Sequence, residues 1–416
     1  MSSFKFLHAA DLHLDSPLLG LSAKSPDFAM RVQAASRQAF ENLLDLAIAE
    51  KVAFIVLAGD VFDGDLRNFQ TGLIFTAAMR RLEDAEIQVF MISGNHDAEN
   101  RYAGRLKYSA NVHLFGHKVA ESVEIEALGV VLHGQSFAQR DVIENLARSY
   151  PSPRPNRFNV GVLHTACAGS EGPHAVYAPC TVEQLVNHGY DYWALGHVHA
   201  RAVLNEHPHV VYPGNLQGRH AREIGPKGAT LVTVNGGEIV ACEHRDLDTV
   251  RWVTATVDLT GAGDLQALLQ RTRAALDSVC EGAGDRPIAL RLCLEGETAL
   301  QGELMRSSGS IREDIEVLLV SLRAEIWLEK LEVATRAPRA AAAADPTVSG
   351  ALSAEISDLA RGIDAGLEEC LQEIRSKMPA NARVDELFAQ LRTQAPDRAL
   401  ALALSLVDGG EADHAD

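Results

Sequence analysis

The sequence predicts an α/β fold: a two-sheet sandwich flanked by helices, then a small α+β domain and a helical tail. Three observations carry this. Short apolar runs of strand character alternate with amphipathic stretches over the first 250 residues. After an opening strand–helix–strand alternation the strands follow one another in succession, which suits two packed sheets better than one doubly wound sheet. From about Trp252 the pattern restarts as strand, helix, strand, helix, strand.

In chain order, FKFLHAAD reads as the first strand, with a helix near Phe28 to Glu50. VAFIVLAGD is the second strand, followed by a helix near Thr71 to Glu83, and IQVFMISGNHD is the third. VVLHGQ, NVGVLH, DYWALGH, HVVYPG, ATLVTV and EIVACEH supply further strands, giving a first domain over residues 1–250. WVTATVDL, a helix from Asp264 to Val279, PIALRLCLEG, a helix from Arg312 to Leu322 and IWLEKLEVA make an α+β domain over 251–335. Residues 336–350, with two prolines and an alanine run, read as a linker. Over 351–416, Leu352, Ile356, Leu359, Ile363, Leu367, Leu371, Ile374 and Met378 recur at three- and four-residue steps, an apolar stripe along one long helix. Shorter helices are expected from Val384 to Leu391 and from Asp397 to Val407.

Composition bounds the function. Of 416 residues, 47% are apolar and 23% charged, which excludes a disordered or low-complexity chain. No stretch approaches the ~20 apolar residues of a membrane span. Lys5, His8, Asp11 and His13 occupy the place of a signal peptide's apolar run, so a cytoplasmic protein without membrane contact is expected. Six scattered cysteines without a CxxC pair suggest neither a disulfide framework nor a thiolate zinc site. The net charge of −18 has the wrong sign for holding nucleic acid by bulk electrostatics, so any DNA contact must be local or metal-assisted.

Histidine marks where the chemistry lies, because fifteen of the sixteen fall at or before His244. Five clusters end predicted strands and carry oxygen or imidazole donors: Asp11 and His13; Asp60 and Asp63; Asn95, His96 and Asp97; His164; His197 and His199. Positions i and i+2 of an extended segment share a side, so Asp11 with His13, and His197 with His199, can each bind as a pair. Gly59, Gly94 and Gly196 precede three clusters, where the strand must turn sharply into a shared cleft. Each cluster alone has an ordinary structural explanation, a helix cap for Asp60 or a satisfied core position for His164; the ordered conjunction of five does not.

That conjunction, D-x-H, G-D-x-x-D, G-N-H-D, H and G-H-x-H, resembles the calcineurin-like metallophosphoesterase superfamily over residues 4 to about 245. Within it, HAADLHLDSPL at 8–18 and YPGNLQGRH at 212–220 resemble the SbcD-like DNA repair exonuclease branch, and its YhaO-type members most. The resemblance implies one metal held by Asp11, His13, Asp60 and His199, and a second by Asp60, Asn95, His164 and His197, with Asp60 bridging. Two such cations lower the pKa of a shared water and clamp the phosphodiester oxygens. Carboxylate, imidazole and amide donors without thiolate favour Mn2+, with Mg2+, Fe2+ or Zn2+ as alternatives.

His96, unassigned to metal, reads as the general acid that protonates the leaving 3′ oxygen, with Asp97 orienting its ring. A purely supporting hydrogen bond is the alternative. Some nuclease relatives carry a second catalytic histidine where Asp63 stands, so Asp63 is expected to support the ligands. Arg219, His220, Arg222 and Lys227 form the nearest basic cluster, a candidate phosphate contact interrupted by Glu223. Asp15 reads as a turn or cap residue, and Cys167 as a small buried hydrophobe.

The implied activity is that of a 3′ to 5′ DNA exonuclease, with single-strand endonuclease activity an open addition. Two alternatives stand beside it: a phosphodiesterase or phosphatase of small nucleotides, and a regulatory subunit of an SbcC-like ATPase. By the same resemblance the small α+β domain corresponds in position to a capping domain. DNA, an SbcC-like or YhaN-like ATPase docking on the C-terminal stripe, and a second copy of the chain are the partners implied.

Overall fold

The computed structural model describes residues 3–16, 26–63, 69–99, 106–168, 177–338, 364–377, 388–389 and 391–392. Two compact units result, one of residues 1–252 with 286–288, the other of 253–285 with 289–416.

The first unit is the expected two-sheet sandwich. One sheet holds β1 (Phe4–Ala9), β2 (Phe54–Ala58), β3 (Gln88–Ile92), β4 (Val112–Leu114), β13 (Gly228–Asn235) and β14 (Glu238–Asp246), in the order β14-β13-β1-β2-β3-β4. The other holds β5 (Glu121–Ile125), β6 (Val130–Gly134), β7 (Phe158–His164), β10 (Tyr192–Gly196), β11 (Ala202–Glu206) and β12 (His209–Tyr212), in the order β11-β12-β10-β7-β6-β5. The central strands run parallel: β1 with β2, β2 with β3, β6 with β7 and β7 with β10. Buried on both faces, they read as unbroken apolar runs such as FIVLA.

Strand alternation sorts these runs into layers. Phe4, Phe6, Phe54, Val56, Phe90, Phe158, Val160, Tyr192 and Ala194 fill the space between the sheets. Phe6 stacks on Phe54 with ring centroids 4.9 Å apart and meets Tyr192 of the other sheet edge-on at 5.2 Å. Residues of opposite parity, Leu7, Ile55, Leu57, Val89 and Met91, pack against α1 (Pro26–Glu50) and α2 (Phe69–Asp84) through Phe40, Leu43, Phe75 and Leu82. On the far side Leu163, Trp193 and Leu195 pack with Leu185 of α4 (Val182–His188) and with Cys167 and Cys180 of the two-stranded sheet β8 (Cys167–Ala168) and β9 (Cys180–Thr181). One polar tie across the sandwich is His8, whose Nδ1 lies 3.0 Å from the Tyr192 hydroxyl and whose Nε2 lies 3.1 Å from the Leu195 carbonyl.

In the second unit β15 (Arg251–Asp258), β16 (Ile288–Glu297) and β17 (Ile326–Arg336) form a three-stranded sheet. It is accompanied by α5 (Leu265–Ala283), α6 (Gln301–Arg306) and α7 (Ser308–Val320). Asp264 caps α5 by accepting from the Ala267 N–H at 2.8 Å, which fixes its start where the sequence places it. The linker after residue 338, the stripe positions Leu352, Ile356, Leu359, Ile363 and Met378, and most of the two shorter helices lie outside the described residues. Leu367, Leu371 and Ile374 do fall on one helix, Asp364–Ser376, where Leu371 packs against Phe388. No helix among the described residues is long and apolar enough to cross a membrane.

Candidate metal centre and active site

All five clusters leave the carboxyl ends of the parallel strands, so the two-sheet topology itself gathers them. Asp11 and His13 follow β1, Asp60 and Asp63 follow β2, Asn95 to Asp97 open the short α3 (Asn95–Glu99) after β3, His164 ends β7, and His197 and His199 follow β10. The loops are zipped together by backbone bonds, Asp11 N–H to the Gly59 carbonyl at 3.0 Å and His13 N–H to the Asp60 carbonyl at 3.1 Å. Gly59 turns with φ +91°, and a Cβ on Gly196 would stand 1.9 Å from the Ala58 carbonyl oxygen. Asp11, His13, Asp60 and His197 all hold positive φ (52°, 42°, 52° and 102°), a strain that persists only where the surroundings over-determine it. Here the Asp11 carboxylate accepts from the His197 N–H at 2.9 Å, and Asp60 Oδ1 from the His96 N–H at 2.9 Å.

Three groups of donors lie within 4.8 Å of one another: Asp11, His13 and His199; His13, Asp60 and His96; Asp11, Asp60 and His164. Their hydrogen bonding fits a cation. His199 Nδ1 bonds Glu223 Oε1 at 2.6 Å, which directs its Nε2 inward; His13 Nδ1 lies 3.5 Å from Asp63 Oδ1, and the two Nε2 atoms are 3.2 Å apart. His164 Nδ1 donates to the Ala58 carbonyl at 2.9 Å, which puts its Nε2 3.1 Å from Asn95 Oδ1 and 3.4 Å from Asp60 Oδ2. Imidazole nitrogens and carboxylate and amide oxygens converging in a buried site are the donor set that a divalent ion satisfies. Asp11, His13 and Asp60 each stand in two of the three groups, so the groups overlap in one continuous cluster. His197 belongs to none of the three groups; its ring lies 5.3 Å from that of His164.

Electrostatics separates the groups further. Burial, helped by the Arg219 charge, pushes His13 down to about 3, which keeps it neutral and able to ligate. Burial acts against the charged form of His164 too, but the facing Asp60 carboxylate overrides it and raises the group to about 9. Asp63 and Glu223 are both held well below the usual carboxylate range: burial pushes each up, and the hydrogen bonds from His13 and His96, or from His199, outweigh it.

One expected role moves to a neighbour. Asp97 does not orient His96; its buried carboxylate accepts from the backbone N–H groups of Val61, Phe62 and Gly94 at 3.1, 2.8 and 3.1 Å. Adjacent residues on a helical turn point in different directions. Asp63 takes the role instead, with Oδ1 2.8 Å from His96 Nδ1. The basic cluster divides as well. Arg219 reaches the site, 3.6 Å from Asp63 and 3.7 Å from Glu223. His220 is exposed with Nε2 3.5 Å from Glu223, and Arg222 is exposed. Lys227 is buried and donates to the His199 carbonyl at 2.8 Å, so it braces a ligand loop rather than facing a phosphate. Asp15 anchors α1 and α2 through Arg37 (2.5 Å) and Thr71, and Cys167 is buried. Glu223, read in the sequence as an interruption, is the site residue that sequence reasoning passes over; a lone Glu within RHARE carries no signal of its own.

Such a fold and donor set define a metal-dependent phosphoesterase. The chain belongs to the calcineurin-like metallophosphoesterase family, whose model matches residues 4–201, and a model described as the middle domain of metallophosphoesterase YhaO matches 252–336. It is 35% identical over 375 residues to the uncharacterized metallophosphoesterase YhaO of Bacillus subtilis, covering 88% of this chain and 91% of that one. It is also 23% identical to the DNA double-strand break repair protein Mre11 of Sulfolobus acidocaldarius, over 75% of this chain and 80% of that one. Among solved structures, a dimetal phosphatase from Danio rerio aligns at 12% identity and a TM-score of 0.34, covering 57% of this chain and 94% of that one.

Proposed function

We propose that the chain is a two-metal phosphodiesterase acting on DNA, a 3′ to 5′ exonuclease that also cuts single strands internally. The observation that carries the reading is the His96–Asp63 pair at the rim of the donor cluster. His96 keeps 31% of its side chain exposed while His13 and His164 are fully buried, so one imidazole is available to a substrate and two to metal. Likeness to DNA break repair proteins supports DNA as the substrate.

Asp11, His13, Asp60 and His199 would hold one cation, and Asp60, Asn95, His164 and His197 the other. Manganese is the proposed metal. When bound, such a pair lowers the pKa of a water and clamps the non-bridging oxygens of a phosphodiester. The remaining work falls to protein groups. His96, held by Asp63, donates its proton to the leaving 3′ oxygen, and Arg219 offers its guanidinium to a phosphate oxygen.

The test is incubation of the protein and of His96→Ala with end-labelled duplex and single-stranded DNA in Mn2+, in Mg2+ and in chelator. Metal-dependent shortening from the 3′ end, lost in the variant, is expected. DNA left intact while a small aryl phosphodiester is hydrolysed would overturn the DNA reading. A net charge of −18 favours a second reading, hydrolysis of small nucleotides, which predicts competition by mononucleotides. An SbcC-like or YhaN-like ATPase docking through residues 351–416 is proposed as a partner, and a homodimer as the assembly. Co-purification that survives deletion of that segment would exclude the docking.

A further inference from the structure

We infer that Glu223 makes the two metal positions unequal, so that the position of Asp11, His13 and His199 fills first and holds its cation more tightly than that of Asn95, His164 and His197. The inference rests on the two-metal reading above and deepens it.

It starts from how each imidazole is held. Glu223 is buried, and its carboxylate is fixed on three sides: Oε1 lies 2.6 Å from His199 Nδ1, and Oε2 accepts from the Arg219 N–H at 2.7 Å and from Asn215 Nδ2 at 2.9 Å. The Nδ1 proton of His199 is therefore committed, and Nε2 is aimed at His13 Nε2 (3.2 Å) and Asp11 Oδ1 (3.8 Å). His13 has Asp63 at the longer distance of 3.5 Å from its Nδ1, so the closest backing at this position is that of Glu223. His164 is backed instead by a neutral group, the Ala58 carbonyl. A carboxylate that accepts from the far nitrogen makes the ligating nitrogen a stronger base than a carbonyl does, and losing such a partner costs 10- to 100-fold in metal affinity. The ligand sets add to the difference: Asp11 is an anionic donor on one side, where Asn95 offers an uncharged amide on the other. Asp60 serves both.

The functional consequence is a resident ion and an exchangeable one. Activity that needs both would then follow the free Mn2+ concentration through the weaker position, with the tighter position already occupied. Glu223 acts here as a positioning residue, through His199.

The test is calorimetric titration of the chelator-stripped full chain with Mn2+, followed in parallel by electron paramagnetic resonance. Two classes of site are expected in the wild type, with an isolated six-line Mn2+ signal at one equivalent and exchange coupling only as the second ion enters. E223Q, which keeps an acceptor for His199 but removes the charge, is expected to weaken the tight class about 10- to 100-fold and leave the weak class unchanged. With its oxygen on His199, the amide nitrogen of E223Q faces the donors of Arg219 and Asn215, so the stripped form should melt somewhat lower than the wild type, and binding is compared well below both transitions. N215A, which removes one donor holding Glu223, is the second variant and should weaken the same class by a smaller factor. Coupled signal from the first addition in the wild type, or variants that weaken both classes alike or neither, would overturn the inference. A wild type that binds two ions equally leaves the two-metal reading standing; one that binds no Mn2+ removes both.

Discussion

His13 and His96 stand with ring centroids 4.9 Å apart, yet their protonation runs in opposite directions. Burial drives His13 down, whereas for His96 burial is outweighed by the Asp63 hydrogen bond and the group is raised. Neighbouring groups pushed apart in this way divide the labour of a site, here one ligand and one acid. If His96 is the acid, His96→Ala should lower kcat on a dinucleotide roughly 10²- to 10⁴-fold. An aryl phosphodiester, whose leaving group needs no proton, should lose far less; equal losses on both substrates would count against the assignment. The pH dependence follows from the same pair. A general acid must be protonated, so activity falls as pH rises through the His96 pKa. Asp63→Asn removes the group that raises that pKa, and the alkaline limb of the kcat profile should move to lower pH. A limb that stays in place would assign the proton to another group.

The strand ends decide whether these residues meet. Gly196 closes β10 against β2 of the other sheet, and its missing Cβ leaves room for the Ala58 carbonyl, which itself holds His164. Gly196→Ala should therefore cost about 3 kcal/mol or more, since neither backbone can retreat, and Mn2+ binding should go with it. Gly225→Ala is the control: φ there is +79° but open space surrounds it, so only the left-handed strain of about 1 kcal/mol applies. Urea unfolding of both variants checks the contrast, and equal costs would contradict it. What was legible at this scale follows the same physics. The strands β1, β2, β3, β7 and β10 are buried on both faces, and each announces itself as an apolar run ending in a motif. The edge strands β5 and β11, ESVEI and AVLNE, are half-exposed with glutamates facing solvent and left no such run. The seven-residue α4 rests on a local capping box between Thr181 and Gln184 rather than on periodicity. The ligands were legible because each sits at a strand end, and Asp63 was legible as a supporting residue; Glu223, and the pairing of Asp63 with His96, were not, because they act across the fold, 24 residues from His199 and 33 from His96 in the chain.

Across the whole molecule the cleft gathers anions in a chain that is already acidic. Asp60, Asp63 and Glu223 keep their charge at the donor cluster, burial raises Asp11 and Asp97, and the chain carries −18 overall. A phosphate approaching the metal-free cleft meets repulsion at short range, whereas two divalent cations reverse the local sign. The reversal is local because charges beyond about 8–10 Å are screened at ordinary ionic strength, so the distant acidic surface weighs little. DNA affinity should then depend on the metal more than on the basic loop. His96→Ala, in which cleavage should be slowed roughly 10²- to 10⁴-fold, allows this to be measured with labelled single-stranded DNA by fluorescence anisotropy. Mn2+ should tighten binding at least tenfold over chelator, and Arg219→Ala should weaken the Mn2+-dependent part by a smaller factor, consistent with one phosphate contact. The same additions should raise the melting temperature, because an ion that binds only the folded chain stabilises it by about 2.7 kcal/mol at a hundred times its Kd. If Mn2+ raises the melting temperature while DNA affinity is the same in metal and in chelator, the cations bind without drawing DNA into the cleft. The substrate would then be sought among small phosphodiesters, whose single phosphate needs no surface beyond the metal centre itself.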